Sequence, residues 1–103
     1  MAKGYWVVRM DVHDAEKYAS EYVPKNAAPI AEFGGRFLVR GGQFEVFEGT
    51  ARQRSVVIEF PSYQAALDCM KSPGYQHAAD FRKKYGSGDI IVVEGYEGPQ
   101  PGE

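Results

Sequence analysis

Gly34-Gly35-Arg36-Phe37-Leu38-Val39-Arg40-Gly41-Gly42 is the stretch whose reading decides the fold. Two glycine pairs bracket five residues that begin and end on arginine. Strict strand alternation puts Arg36, Leu38 and Arg40 on one face and Phe37 and Val39 on the other. The leading glycine pair suits a helix C-terminus, where a left-handed residue closes the last turn. The trailing pair suits a bulge or sharp bend. Alternation resumes from Gln43 to Glu48, with Phe44 and Val46 against Glu45 and Phe47. The expectation is one long strand, bent at Gly41-Gly42 and ending at a turn near Gly49-Thr50.

Upstream, Tyr5 to Val12 reads as a strand whose apolar face is Trp6, Val8, Met10 and Val12. Asp14 is a good N-cap for a helix starting at Ala15. Tyr18 and Tyr22, four apart, share one face of that helix. Pro24 and Pro29 each remove an amide donor, so two helical pieces or one kinked helix are expected, ending near Phe33. Downstream, Arg54 to Phe60 alternates Val56, Ile58 and Phe60 against Ser55, Val57 and Glu59, and closes a hairpin with the glycine-bracketed strand. Ser62 caps a helix from Tyr63 to about Lys71. Pro73 opens another, because proline suits the first helical position. Lys83 and Lys84 complement the dipole in its last turn, and Gly86 caps it. The last strand is Asp89 to Gly95.

The order is strand, helix, strand, strand, helix, strand. That predicts an α+β, ferredoxin-like split βαβ (βαββαβ) domain. Its sheet is four-stranded and antiparallel, in order 4-1-3-2, with the helices on one face. The other face carries apolar residues and is left open, which favours a homodimer through that face.

A chain of 103 residues with net charge -2 and one cysteine, Cys69, bounds the remaining possibilities. It is one domain, residues 1–97, with a flexible tail at 98–103. The charge gives no basic stripe for nucleic acid. A single cysteine suits a reducing compartment, and the apolar run Tyr5 to Val8 is too short for a signal or a membrane span. A cytoplasmic protein with no membrane partner is expected.

Charge on the open face comes from Arg9, Asp11, Arg36, Arg40, Glu59 and Glu94 if alternation is strict. These groups either pair across a dimer contact or hold a small organic anion. Arginine suits a carboxylate or enolate because its planar fork bonds two oxygens at once. Arg36, Arg40 and Glu59 are therefore candidate substrate-binding residues. Trp6, Tyr18 and Tyr22 are further candidates, as the wall of an aromatic pocket between sheet and helix. His77 is the candidate general acid or base, since histidine titrates near neutral pH. Two histidines without a metal-ligand spacing give no metal site, and Gly34-Gly35 lacks the order of a phosphate loop. No cofactor is expected.

Gly4-Tyr5-Trp6, the run Gly34 to Gly42, Glu45-Val46-Phe47-Glu48-Gly49, Ile58-Glu59-Phe60-Pro61-Ser62 and Ser72-Pro73-Gly74-Tyr75 together resemble one family. It is domain of unknown function 1330, within the dimeric α/β-barrel superfamily. The resemblance covers about residues 4 to 96. It implies a ferredoxin-like protomer and a homodimer whose sheets close a barrel, but no reaction. The superfamily includes cofactor-free oxygenases, haem-degrading oxygenases, muconolactone-type isomerases and ligand-sensing domains, and its oxygenase sites lie between sheet and helices. The haem-degrading enzymes resemble a scheme of asparagine, tryptophan and histidine; Asn26 and Trp6 lie on different elements from that scheme, so its roles are not transferred to Asn26, Trp6 and His77.

Three functions compete. One is a small cofactor-free enzyme, oxygenase- or isomerase-like, on an acidic or aromatic substrate, with His77 as base and Arg36 or Arg40 stabilising an enolate. Another is a binding or sensing dimer without chemistry. The third is a dimer whose charged face is purely structural.

Overall fold

A computed structural model describes all 103 residues. Strand β1 (Gly4–Val12) is followed by a helical segment in three parts: α1 (Ala15–Lys17), a π-helical turn (Tyr18–Tyr22) and α2 (Val23–Glu32). Strands β2 (Arg36–Arg40) and β3 (Arg54–Phe60) come next, then helices α3 (Tyr63–Lys71) and α4 (Pro73–Tyr85), and finally β4 (Gly86–Glu94). The sheet runs β2-β3-β1-β4 with every pairing antiparallel, the expected ferredoxin-like order. The helices cover the face that carries Trp6, Met10, Ile58 and Phe60, all 3 % exposed or less. At about 25 cal/mol per Å² of apolar surface, each such side chain stabilises the fold by roughly 1.5–3 kcal/mol.

Helix boundaries follow the local chemistry. The Asp14 carboxylate accepts from the Lys17 amide at 3.1 Å, and Ser62 Oγ accepts from the Ala65 amide at 3.0 Å. Ser72 Oγ does the same for Tyr75, opening α4 immediately after α3. Pro24 has no amide to return to the preceding turn, and the Val23 amide reaches back to the Tyr18 carbonyl. The turn widens to π geometry, and Tyr18 and Tyr22 both end up buried. Gly34 closes α2 at φ +79°, a conformation that strains any residue with a Cβ.

Three expectations need correction. The strand does not continue past the second glycine pair. Residues 41–53 form a loop, and Phe44, Val46 and Phe47 are exposed. Opposite them stands Thr50-Ala51-Arg52-Gln53, which turns away to grip β1 and β4 instead. Arg52 donates to Asp11 at 2.8 Å and to Asp89 at 3.0 Å, and Gln53 exchanges bonds with Asp11 and Val12. With its partner diverted, Gln43 to Glu48 has no ladder to join.

Arg40 does not share a face with Arg36. A bulge lies between Phe37 and Val39: Phe37 pairs with Ile58, Val39 with Val57 and Arg40 with Val56. Leu38 is the extra residue, so Arg40 joins Phe37 on the helix-covered side, its guanidinium carbon 4.2 Å from the Phe37 ring centre.

Glu94 also leaves the open face. It pairs with Gly4, and Val92 with Trp6, which places both on the core side. Asp89, Ile91 and Val93 occupy the open face of β4 in their place.

Candidate functional site

A cavity of about 30 Å³ opens between the sheet and the helices. Trp6 and Val8 of β1, Val56 and Ile58 of β3 and Phe37 of β2 form its floor. Tyr18 and Tyr22 of the π turn, Val23 and Asn26 of α2, and Tyr75 of α4 form its roof. Arg40 and Arg54 bring the charge. Arg40 is exposed and Arg54 half-buried, so the lining reaches the surface at the arginines. No aspartate, glutamate or histidine lines this cavity.

Each wall residue is fixed by its neighbours. The Trp6 indole donates to the Ala66 carbonyl at 2.9 Å and packs edge-on to Tyr75 at 4.7 Å between ring centres. The Tyr22 and Tyr75 hydroxyls share a hydrogen bond of 2.8 Å. Burial pushes the Tyr22 phenol far above its ordinary range, with Tyr75 adding to the shift and the Asn26 side chain and Arg82 opposing it. Burial likewise raises Tyr18, against the pull of Arg54 and Arg82. Both tyrosines are therefore neutral hydroxyl groups at physiological pH. Gly41 sits at φ +68°, and a Cβ there would fall 2.7 Å from the Arg54 guanidinium, so glycine leaves room for that side chain.

Two polar atoms of the lining residues are occluded and have no partner. Asn26, 6 % exposed, has an unpaired Oδ1, and the buried Nε of Arg54 is unpaired as well. A buried orphan of this kind costs about 1–3 kcal/mol. The space is enough for a water or two, which need roughly 10–15 Å³ each, and short of the roughly 150 Å³ that admits a benzene ring. A ring enters only if the mouth widens.

The sequence candidates divide between two faces and the exterior. Trp6, Tyr18, Tyr22 and Arg40 meet on the cavity. Arg36 and Glu59 pair on the open face of the sheet, 3.8 Å apart, where Glu59 also accepts from the Tyr5 hydroxyl at 3.2 Å and meets Lys3 at 4.0 Å. His77 is exposed on α4, with its ring edge-on to Phe81 at 5.5 Å, and lines no cavity with Arg36 or Arg40. Sequence reasoning missed Asn26, Arg54 and Tyr75 as wall residues. Arg54 opposite Met10 carried the available signal: it continues the buried face of β3 two residues before Val56. Asn26 and Tyr75 gave none, because their positions depend on how α2 and α4 cross.

Cys69 is buried, its thiol pushed up to about 12 by burial and by Glu32, which leaves it an inert core residue. No group of three or more histidine, cysteine, aspartate or glutamate residues is arranged to hold a metal ion. No helix is long and apolar enough to cross a membrane.

The fold and cleft define an α+β protein of ferredoxin-like topology with a largely apolar cavity between sheet and helices, into which two arginines and an asparagine are built. The chain belongs to the family of domain of unknown function 1330 (DUF1330), which matches it over residues 3–96. Among solved structures it is similar to a protein of unknown function from Rhodopseudomonas palustris. That likeness has a TM-score of 0.73 at 16 % identity and covers 94 % of this chain and 85 % of the other. It is also similar to SnoaB, a cofactor-independent oxygenase from Streptomyces nogalater. There the TM-score is 0.63 at 18 % identity, with both chains covered in full. No curated protein matches the chain in sequence.

Proposed function

We propose that this chain acts on a small acidic or aromatic organic molecule held in the cleft, as a cofactor-free oxygenase- or isomerase-like enzyme. One observation carries the reading: two arginines and a buried asparagine line a cavity otherwise walled by aromatic and aliphatic side chains. Guanidinium groups in such surroundings favour the ionised form of a bound acid, enol or phenol. An ionised substrate of that kind is the form that gives an electron to dioxygen, or shifts a proton, without help from a cofactor. The likeness to SnoaB in fold is consistent with this chemistry. His77 has no part in it, because its side chain faces solvent on α4.

The absence of a carboxylate or imidazole from the lining favours a second reading, a protein that binds the same ligand without turning it over. Thermal denaturation with benzoate, followed by oxygen uptake with hydroxylated aromatic acids, separates the two. At tenfold its Kd a ligand adds about 1.4 kcal/mol, or about 6 to 11 °C in Tm for a domain of this size. A shift lost in Arg40→Gln and Arg54→Gln, but kept in Arg36→Gln, supports the cleft. Oxygen uptake then supports the enzyme, and a shift without turnover supports the binding protein. No shift with any acid refutes both.

We further infer self-association through the open sheet face. Ile91 is 58 % and Val93 41 % exposed there, beside Val39 and the charged groups Arg9, Arg36, Glu59 and Asp89. That mixture of apolar and charged side chains suits a contact in which two copies present the same face to each other.

A further inference from the structure

No backbone hydrogen bond joins residues 42–51 to the rest of the chain. Within them, Gln43 to Glu48 alternates like a strand and has no strand beside it. Phe44, Val46 and Phe47 are exposed, Phe47 by 89 %. Glu45 and Glu48 are exposed among them, and neither is in an ion pair. This arm stands over the open face of the sheet and walls a hollow that Arg9 and Ser55 of β1 and β3 also line. Arg9 is exposed and has no ion pair either, because Asp89, directly opposite it on β4, is held by Arg52. Val39, Ile91 and Val93 lie exposed on the same face. Arm and face thus hold six of the ten large apolar side chains the fold leaves exposed, while the helices contribute only Tyr63. The molecule is 16 Å deep in its thinnest direction, and its radius of gyration of 14.5 Å exceeds the about 13 Å of a compact chain this long. That is the shape of a layer with one side uncovered.

A second copy is the partner that fits. The arm is apolar and acidic, and the face is apolar with an unpaired cation. Each copy owns both surfaces, so a two-fold pairing gives every arm a face and leaves neither over. We propose that the arm Gln43 to Glu48 of each protomer lies on the open face of its partner. Its phenylalanines and valine would cover the partner's Ile91 and Val93, and its two carboxylates would meet the partner's Arg9. This rests on self-association through the open face, as proposed above, and adds which segment crosses and which charge receives it. The pairing is between copies: Arg9 lies beside its own arm, yet neither carboxylate of that arm pairs with it.

The test reverses charge on each surface separately. Arg9→Glu alters the face, and Glu45→Arg with Glu48→Arg alters the arm. Each protein alone should dissociate more readily, by about tenfold at each of two equivalent contacts and so on the order of a hundredfold in dimer Kd, read by light scattering over a dilution series. Mixed in equal amounts, the two should recover dimers, since each arm then meets a partner face of opposite charge. Phe47→Ser, at a position outside the protomer's core, should weaken the dimer about tenfold by itself, which covers a charge variant that fails to fold. Wild-type dimerisation by all these proteins overturns the inference, and loss of the dimer in Ile91→Asp alone then leaves the open-face reading standing. Weakened dimers that do not recover on mixing would confine the arm's contacts to its own protomer and overturn the inference too. A wild-type protein that stays monomeric at every concentration overturns both.

Discussion

Removing the Tyr22 hydroxyl tests whether water is kept from the hydrogen-bonded pair Tyr22–Tyr75. Tyr22 and Tyr75 are 7 % and 1 % exposed, and their hydroxyls meet at 2.8 Å. Tyr22→Phe leaves the Tyr75 hydroxyl without its partner and takes a neighbour from Asn26, whose Oδ1 is already unpaired. One orphaned buried group costs about 1–3 kcal/mol, so Tyr22→Phe should lose about 2 kcal/mol, or about 8 to 16 °C in Tm. Tyr75→Phe should cost less, because Tyr22 keeps the Asn26 side chain. Replacing both removes a net hydrogen bond worth only about 0.5–1.5 kcal/mol and leaves no tyrosine orphan. The double variant should therefore be less damaged than the sum of the singles, with a coupling of about 0.5–3 kcal/mol. Urea denaturation at pH 7, followed by circular dichroism, measures all four corners of the cycle. Additive single costs, each below about 0.5 kcal/mol, would show that water reaches both hydroxyls, and the picture of a sealed polar pair would be wrong.

Cys69 makes stability depend on alkaline pH. Its thiol titrates at about 12 in the folded protein against 9.0 for the free group, so its contribution is full below pH 9 and is lost as pH rises toward 12. The fall of Tm between pH 9 and 10 should be shallower in Cys69→Ala than in wild type, and identical slopes would contradict this. Deleting Leu38 should straighten β2 without moving Arg40 off the cleft, because the bulge already sets Phe37 and Arg40 on one side. Ligand-induced thermal shifts should survive the deletion, whereas a strictly alternating strand would carry Arg40 to the opposite face and abolish them. Ile91→Asp should halve the molar mass seen by light scattering if the open face joins two copies. An unchanged mass would place the contact elsewhere or remove it.

Much of the fold was legible because it rests on local rules. Capping by Asp14, Ser62 and Ser72, the glycine at the end of α2, and the two-residue period of β1 and β3 each act within a few residues. The site was less legible because it rests on exceptions to those rules. A one-residue bulge at Leu38 moved Arg40 across the sheet, and nothing in Arg-Phe-Leu-Val-Arg marks where an extra residue falls. The alternating run Gln43 to Glu48 looks like a strand and is a loop, since strand formation depends on a partner that Arg52 and Gln53 withhold. The π turn was foreshadowed by Pro24 as a kink, but the inward placement of both tyrosines follows from the wider turn. Arg36 and Glu59 do share the open face that alternation gave them, and they stand directly opposite each other on paired strands.

In the proposed site Arg40 and Arg54, and not Arg36, face the ligand. Nitrogen–proton correlation spectra of the arginine Nε–H groups, assigned with single Arg→Lys variants and titrated with 3-hydroxybenzoate, test it directly. The Arg54 and Arg40 signals should move together and saturate, while Arg36 and Arg9 stay in place. Movement confined to Arg36 and Arg9 would put the ligand on the open face of the sheet and contradict the account.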